Sequence, residues 1–432
     1  MAASKSTQRR PGDLPAEVSG FVGRRDELAR LARQLRSARL VTVTGPGGVG
    51  KTRVALRTAS RLSGEFEGGV CLAELAGLRD PELLPHTVAT CLGLPERDAR
   101  TQLGAVLDYL RDRRLLLILD TCEHLVDACA RLAGAVARET AGVTVLATSR
   151  QPLDIPGEHT CLIPPLPVPE AGSRDAAGGD SVELFAQRAA AVVPGFAITE
   201  ANREDVARLC RRLDGIPLAI ELATVRLRAV PLEQLASRLE DRFRLLTGSR
   251  RAALPHHQTL RTATEWSYDL CSPAEQLLWA RLSVFAGSFD IAAAEQVCGG
   301  GALARADILE TLIGLVDKSV VLRTGDNGAR YRLLDTIREF GAERLAGTGE
   351  EDRLRSRSWR RRTGLAVSPA GNARSRRGYP RDCPTGRSPS GWSSPSARSM
   401  PMSSTSWPSS VPPPGCRSPT GCKPDSPIRY RR

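Results

Sequence analysis

One stretch, Val41–Thr52, constrains the fold of this chain more than any other. It combines a β-branched strand, a glycine-rich loop and the first residues of a helix in the order G-x-x-x-x-G-K-T. Glycines without a Cβ allow the loop to curl until its N–H groups point at one anion, and the helix adds the positive end of its dipole. The stretch therefore predicts a phosphate-binding loop. Its glycines are Gly45, Gly47, Gly48 and Gly50.

Two side chains at the end of this loop predict its ligand. Lys51 is expected to reach the β- and γ-phosphates of a nucleoside triphosphate, and the Thr52 hydroxyl to bind Mg²⁺. Val49 and Arg53 flank them and are assigned to the same site. The chain contains four lysines, and one occupies the place that the motif requires, which disfavours a plain glycine turn. We expect ATP or ADP with Mg²⁺ as cofactors.

The positive charge of the chain is confined to its end. Residues 351–432 hold 17 basic and 4 acidic residues, which accounts for the whole net charge of +13. Residues 1–350 hold 44 of each sign and are neutral. The charge therefore gives no evidence for a nucleic-acid-binding face on the body of the protein.

Hydropathy and cysteine spacing predict the location of the protein and the state of its cysteines. The chain has no run of eighteen apolar residues and its first fifteen residues are polar, so no membrane partner and a cytoplasmic location are expected. The eleven cysteines lie among apolar neighbours, as Cys71 and Cys91 do. The pair Cys122 and Cys129 does not match a zinc spacing. We therefore expect reduced, buried thiols.

Strands alternate with helices through the first third of the chain. This alternation predicts a parallel sheet covered by helices on both faces, with ligands at the carboxyl ends of the strands. The expected strands are 40–44, 69–74, 115–119, 143–147 and a last one near 160–163, with helices that include 26–37, 102–112 and 123–137.

Two strand ends carry chemistry. The aliphatic run Leu115–Leu119 leads directly into Asp120, which places a carboxylate where Mg²⁺ would be held, directly or through water. The strand that ends at Ala147 is followed by Thr148-Ser149-Arg150, and Arg150 is a candidate sensor of the γ-phosphate. We therefore assign Lys51, Asp120 and Arg150 to the reactive end of the site.

The second half of the chain is predicted to be mainly helical. Helices are expected at 181–192, 202–212, 217–228 and 231–240, followed by three helices and a hairpin whose turn is Thr324–Gly328. The predicted domains are a disordered segment 1–20, a nucleotide-binding domain 21–166, an all-helical lid 167–248, a winged helix 249–346 and a disordered basic tail 347–432.

The motifs in register over residues 20–346 resemble those of the bacterial STAND-class signal-transduction NTPases with an NB-ARC-like core. Many members are large regulators that continue into tetratricopeptide repeats and sometimes a DNA-binding domain. The resemblance implies an α/β P-loop NTPase, a helical lid and a winged helix. It also implies self-oligomerisation in the ATP state.

The resemblance assigns further residues to the nucleotide. The leading motif Phe21-Val22-Gly23-Arg24 packs on adenine in this family, and the proline of Gly215-Ile216-Pro217-Leu218-Ala219 contacts the base. The metal-holding strand is similar to Leu119–His124 and the sensor to Thr148–Arg150. The winged helix is similar to Trp266–Leu270, Leu282–Phe285 and Tyr331–Glu339.

The chain departs from the family pattern beside the metal-binding aspartate. Thr121 replaces the usual Asn or acidic residue, so no carboxylate stands there to orient the attacking water. Glu123 is a possible substitute, and complementation of a helix dipole is the alternative role. The winged helix also lacks the Met-His-Asp triplet by which related proteins place a histidine on ADP. Slow ATP hydrolysis is expected.

The tail supports two interpretations. Residues 351–432 hold 13 of the 30 prolines and 17 serines, which is typical of a disordered basic segment able to bind nucleic acid. The same bias is expected when a GC-rich gene is read out of frame, and the use of 57 arginines against four lysines fits such a gene. We favour a frameshift or truncation that removed sensor repeats and any DNA-binding output.

The sequence thus supports two functions. The first is an ATP/ADP-dependent regulatory switch, closed with ADP and open with ATP. The alternative is a DNA-binding transcription factor acting through the winged helix or the tail. A metabolic ATPase or kinase is disfavoured, because no acceptor site is evident in the sequence.

Overall fold

A parallel sheet forms the first half of the computed structural model, which describes residues 14–17, 19–95, 99–170, 179–238, 260–324 and 330–363. Within these residues the sheet has five strands in the order β2-β3-β4-β1-β5. The strands predicted from sequence are confirmed to within two residues at each end. They are β1 Leu40–Thr44, β2 Val70–Glu74, β3 Leu116–Asp120, β4 Thr144–Thr148 and β5 Glu158–Leu162.

Helices cover both faces of this sheet. One hydrophobic cluster joins the first two helices to one face, and another joins the next three helices to the opposite face. The central strands are buried along their whole length, which fits the aliphatic residues and threonines that make up most of them. The helices are α1 Arg25–Ser37, α2 Lys51–Leu62, α3 Leu84–Cys91, α4 Ala99–Leu110 and α5 Val126–Glu139.

Strand register determines where the site lies. β1 pairs in parallel with β4 on one side and β5 on the other, and β3 pairs with β4. Val43 is opposite Thr148, and Leu119 is opposite Ala147. The carboxyl ends of β1, β3 and β4 therefore meet at one edge, which brings the glycine-rich loop after β1 next to Asp120.

The second half is helical and ends in a two-stranded antiparallel hairpin. The hairpin pairs β6 Val321–Thr324 with β7 Arg330–Leu333, and most of its predicted turn lies outside the described residues. The helices are α6 Asp180–Val192, α7 Arg203–Arg212, α8 Pro217–Arg226, α9 Leu232–Arg238, α10 Leu260–Asp269, α11 Pro273–Leu282, α12 Ile291–Cys298, α13 Ile308–Asp317, α14 Asp335–Ala346 and α15 Glu351–Thr363. Among the described residues, no helix is both long and apolar enough to cross a membrane.

The winged helix is built on a buried aromatic centre. Trp279 of α11 is fully buried and donates its indole N–H to the Ile337 carbonyl at 2.9 Å. Its ring packs against Tyr268 and Phe340 at centroid distances of 5.5 and 5.6 Å. Ser272 caps the start of α11, with reciprocal side-chain and backbone hydrogen bonds to Glu275.

The disorder predicted from residue 347 is wrong for residues 351–363, which form α15. Leu354 is fully buried, and Arg357 donates to the Gly299 carbonyl just beyond α12 at 3.0 Å. Arg281 pairs with Glu350 at 2.8 Å immediately before the helix. One buried leucine and long-range arginine contacts thus order a segment whose composition gave no apolar periodicity. The rest of the tail lies outside the described residues.

The expected disorder of 1–20 is also wrong for the part of that segment that the structure describes. Leu14 packs against the α1–α2 side of the sheet, and Glu17 pairs with Arg57 at 2.5 Å. The carbonyls of Ser19 and Gly20 accept hydrogen bonds from Arg53. Contacts with α2 therefore fix a polar lead-in that lacks any pattern of its own.

The cysteine expectation fails at one pair. Cys71 on β2 and Cys91 at the end of α3 form a disulfide, with a Cα–Cα distance of 6.1 Å. The packing of α3 across β2 brings together two residues that are 20 positions apart. The free cysteines among the described residues are buried, as expected: Cys122, Cys129, Cys161, Cys210, Cys271 and Cys298.

Candidate nucleotide-binding site

The loop between β1 and α2 has the conformation that its glycines permit. Gly45 has a φ of 147°, and a Cβ on it would lie 2.4 Å from the Ile163 carbonyl oxygen. Gly48 has a φ of 79°, and a Cβ there would lie 2.9 Å from the Leu218 side chain. The Leu218 N–H donates to the Gly48 carbonyl at 3.2 Å. Close contact with β5 on one side and α8 on the other therefore requires glycine in this loop.

Lys51 folds back over the loop. Its ammonium donates to the carbonyls of Gly45 at 2.9 Å and Pro46 at 3.1 Å. Burial lowers the pKa of Lys51 to about 8, against the opposing effects of the Glu123 and Asp120 carboxylates. A cation held at the N-terminus of α2, beside the glycine-rich loop, is suited to bind phosphate oxygens.

Thr52 and Asp120 form the expected metal-side pair. The Thr52 hydroxyl donates to Asp120 Oδ1 at 2.7 Å, and the Thr148 hydroxyl donates to the same oxygen at 2.6 Å. Burial raises the pKa of the Asp120 carboxyl, and these two hydrogen bonds oppose the rise. One carboxylate next to one hydroxyl is the hard oxygen donor set that Mg²⁺ accepts together with phosphates, so these residues fit that ion.

A small, half-open cleft lies beside the loop. Its lining is mainly apolar and includes the residues that the family resemblance assigned to adenine. The cleft lies where the sheet domain meets α6 and α8, so its walls come from both halves of the chain. It is lined by Phe21, Val22, Arg24, Val49, Gly50, Arg53, Val54, Leu166, Leu184 and Pro217.

Arg24 ties the leading motif to the loop. It follows Gly23, and both residues have positive φ, 64° and 62°. The buried Arg24 guanidinium donates to the Val49 carbonyl at 3.2 Å and to Glu27 at 2.9 Å. Its backbone N–H donates to Asp180 at the start of α6. Arg24 therefore joins the base cleft, the loop and the lid.

Arg150 lies beside the loop at Gly47 and is not part of the cleft lining. Its guanidinium is buried, and a Cβ on Gly47 would lie 3.2 Å from its Nη1 atom. It donates to Glu123 Oε1 at 3.0 Å, to the Ala263 carbonyl at 3.1 Å and to the Ser267 hydroxyl. The residue expected to sense the γ-phosphate is thus beside the loop, and its hydrogen bonds join β4 to α10.

The prediction that Glu123 lies in the first turn of a helix is wrong. The helix expected from residue 123 begins at Val126, so Glu123 lies in the preceding turn and not in the first turn of a helix. It is buried and forms an ion pair with Arg150. The spacing of an acidic residue three positions after Asp120 was visible in sequence, but its partner 27 positions away was not.

Asp214 was missed altogether. It has a φ of 54°, and its carboxylate accepts hydrogen bonds from the N–H groups of Asp335 at 3.0 Å and Thr336 at 2.9 Å. Asp214 thus caps α14 from the loop before α8 and holds the lid to the winged helix. An aspartate before a glycine reads as an ordinary turn, and no sequence signal links positions 121 residues apart.

Fold and site together define an α/β P-loop ATPase-like core joined to a winged helix-turn-helix domain. A family profile described as a winged helix-turn-helix domain matches residues 271–346. The uncharacterized protein Rv0894 of Mycobacterium tuberculosis is 37% identical over 342 residues, which cover 79% of this chain and 85% of that protein. The chain belongs to the same family as Rv0894.

Longer relatives carry names of regulators. A Mycobacterium tuberculosis protein with the provisional name of an HTH-type transcriptional regulator, Rv0890c, is 42% identical over 319 residues, 74% of this chain and 35% of that protein. The regulatory protein AfsR of Streptomyces coelicolor is 28% identical over 377 residues, 81% of this chain and 35% of AfsR. The chain thus spans about a third of the length of these regulators.

Solved structures give weaker likenesses. The Walker-type ATPase PABY2304 of Pyrococcus abyssi has 14% identity and a TM-score of 0.48, over 77% of this chain and 98% of that one. A STAND protein with a tetratricopeptide repeat sensor, PH0952 from Pyrococcus horikoshii, has 17% identity and a TM-score of 0.33, over 82% and 46%. At these TM-scores neither likeness supports an inference about this chain.

Proposed function

We propose that this chain is the nucleotide-dependent switch of a transcriptional regulator of the STAND class, with an NB-ARC-like core. It binds ADP in a closed form and exchanges it for ATP with Mg²⁺. The exchange shifts the population toward an open form that associates with further copies. Slow ATP hydrolysis returns the chain to the closed form.

The observation that carries this proposal is the placement of three domains around one loop. The apolar cleft takes its walls from the leading motif, the loop, α6 and α8, while Arg150 lies beside Gly47 of the loop and donates to α10. Asp214 then holds the lid to α14 through two backbone N–H groups. A ligand in this loop therefore contacts or adjoins every element that would move in a closed-to-open change.

Each part of the nucleotide is assigned to residues of suitable chemistry. Phe21, Val22 and Pro217 supply apolar surface for a base, and the loop N–H groups with Lys51 bind the phosphates. Thr52 and Asp120 would hold Mg²⁺, which neutralises phosphate charge when bound. A γ-phosphate beside Gly47 would attract the Arg150 guanidinium and compete with its hydrogen bonds to α10.

The first experiment removes the phosphate-binding cation. Lys51→Ala is expected to abolish nucleotide binding, because neutral backbone groups alone do not balance the phosphate charge. Nucleotide carried through purification is released by denaturing the protein and identified by chromatography. Arg61→Ala, at an exposed arginine on the same helix, is the control and retains nucleotide. Retention of ATP or ADP by the Lys51 variant at the wild-type level contradicts the proposal.

DNA binding is the second candidate, supported by the winged helix-turn-helix profile and by an exposed basic hairpin. Arg323, Arg330 and Arg332 are all exposed on β6 and β7. The preceding helix α13 is less suitable, since its exposed face carries Leu309, Ile313 and the acidic residues Glu310 and Asp317. Contacts would therefore be to the DNA backbone through the hairpin more than to bases.

A gel-shift series separates this candidate from an effect of the tail. The full chain and a chain ending at Thr363, which keeps α15, are compared for binding to random-sequence duplex DNA. Binding that survives the truncation and is lost with Arg332→Ala favours the winged helix. Binding lost with the truncation alone assigns it to residues 364–432. A complete lack of binding by the full chain disfavours the candidate.

A further inference from the structure

The residue after the metal-side aspartate supplies no carboxylate for hydrolysis. Thr121 has a φ of 67°, and its N–H donates to the Thr148 hydroxyl at 2.9 Å. Its own hydroxyl donates to Asp120 Oδ2 at 3.3 Å. Thr121 therefore helps to position Asp120, and another group must orient the attacking water if the site cleaves ATP.

Glu123 carries a buried carboxylate oxygen that is free to accept a hydrogen bond. Its Oε1 atom accepts from Arg150, while its Oε2 atom is buried and has no hydrogen-bond partner among the described residues. The residue is 7% exposed. A buried carboxylate oxygen without a partner is costly, so such an atom indicates a water or ligand that completes its shell.

Glu123 lies at the phosphate end of the site. The Arg150 guanidinium to which it binds packs against Gly47 of the phosphate-binding loop. Burial alone would raise the pKa of the Glu123 carboxyl, but the charges of Arg150 and Lys51 outweigh that effect and lower it. The group is therefore ionised, and it is close enough to Lys51 to affect the pKa of that side chain as well.

We propose that Glu123 is the catalytic carboxylate that orients and deprotonates the attacking water, in place of the carboxylate absent at Thr121. The inference rests on the proposed nucleotide site. The water oxygen forms a bond to the γ-phosphorus as the bond from that phosphorus to the β–γ bridging oxygen breaks. The water proton passes to Glu123 Oε2 and then to solvent, which leaves ADP and inorganic phosphate.

Glu123→Gln in the full chain tests this role, because a glutamine keeps the shape and can still accept from Arg150 but cannot take a proton. Single-turnover hydrolysis of ATP with Mg²⁺ is expected to fall on the order of 100-fold, while the dissociation constant for ATP stays within about threefold of wild type. The purified variant is expected to carry ATP where wild type carries ADP. Glu139→Gln, at an exposed carboxylate on α5, is the control and keeps wild-type hydrolysis.

Arg150→Ala separates catalysis from a structural ion pair. If Glu123 merely holds Arg150 in place, Glu123→Gln and Arg150→Ala will both weaken ATP binding and lower the melting temperature to a similar extent. That result overturns the inference. Wild-type hydrolysis by Glu123→Gln overturns it as well, as does a wild-type chain that binds ATP without cleaving it. Absence of nucleotide binding in the wild type is a different result, since it refutes the proposed function itself.

Discussion

The two ends of the proposed nucleotide site differ in the kind of side chain that forms them. The base end is an apolar cleft in whose lining the buried Arg24 guanidinium donates to Val49 and Glu27, while the Arg24 backbone N–H donates to Asp180 of the lid. The phosphate end brings together four ionisable side chains with low exposure, and one of them donates to the winged helix. These four are Lys51, Asp120, Glu123 and Arg150.

This difference separates affinity from switching. In the proposed function, the apolar surface at the base end would contact ADP and ATP alike and would contribute equally to the affinity for both. At the phosphate end, the contacts of Arg150 with α10 and the expected contacts with a γ-phosphate compete for one guanidinium. A ligand shifts a conformational equilibrium only through such differential interactions. Changes at the two ends should therefore differ in kind as well as size.

The largest effect is expected at the metal side of the phosphate end. Asp120→Asn removes the charge that would hold Mg²⁺ while preserving shape, so the affinity for ATP in the presence of Mg²⁺ should fall on the order of 100-fold. Titration of a fluorescent ATP analogue with Mg²⁺ or with EDTA measures the change. Asp127→Asn, at an exposed aspartate on α5, should leave both values unchanged. An equal loss in Mg²⁺ and in EDTA would assign Asp120 a structural role only.

A smaller effect is expected from pH. Because the pKa of Lys51 is lowered to about 8, the ammonium loses its proton as pH rises through that value. If only the charged form binds phosphate, the affinity for ADP in EDTA should fall about tenfold between pH 7 and pH 9. The arginine of the Lys51→Arg variant remains charged over this range, so the affinity of this variant for ADP should not change with pH. A pH dependence shared by both proteins would point to another titrating group.

The smallest effect is expected from a substitution at the base end. Val22 is 8% exposed and lines the cleft, so Val22→Ala removes apolar contact worth about 1 kcal/mol, or roughly a fivefold loss of affinity. The loss should be equal for ATP and ADP, as measured by competition titrations. Val225→Ala, at a valine that is 47% exposed on α8, should change neither affinity. A selective loss of ATP binding would remove the distinction between the two ends.

The winged helix and the helix that follows it show which elements a local sequence pattern can predict. The turn residues Thr324–Gly328 were sufficient to predict the hairpin of β6 and β7, because a tight turn depends on neighbours in sequence. The helix α15 was missed, since its order comes from Leu354 and from arginine contacts across to α12. Composition alone cannot distinguish such a segment from a disordered one.

The phosphate-binding loop, the aspartate at the end of β3 and the alternation of strands and helices could all be predicted without the structure. Each follows from a local pattern whose physics is complete within a few residues. The resemblance to a known family added Val22, Arg24 and Pro217, which the structure brings to one cleft.

Contacts between groups that are far apart in sequence became visible in the folded chain. The disulfide of Cys71 and Cys91, the cap that Asp214 places on α14 and the burial of Glu123 against Arg150 each join elements that sequence leaves independent. The physical reason is that burial and pairing depend on the crossing of helices over the sheet, and no local propensity specifies that crossing. The charged network at the phosphate end is therefore a property of the fold.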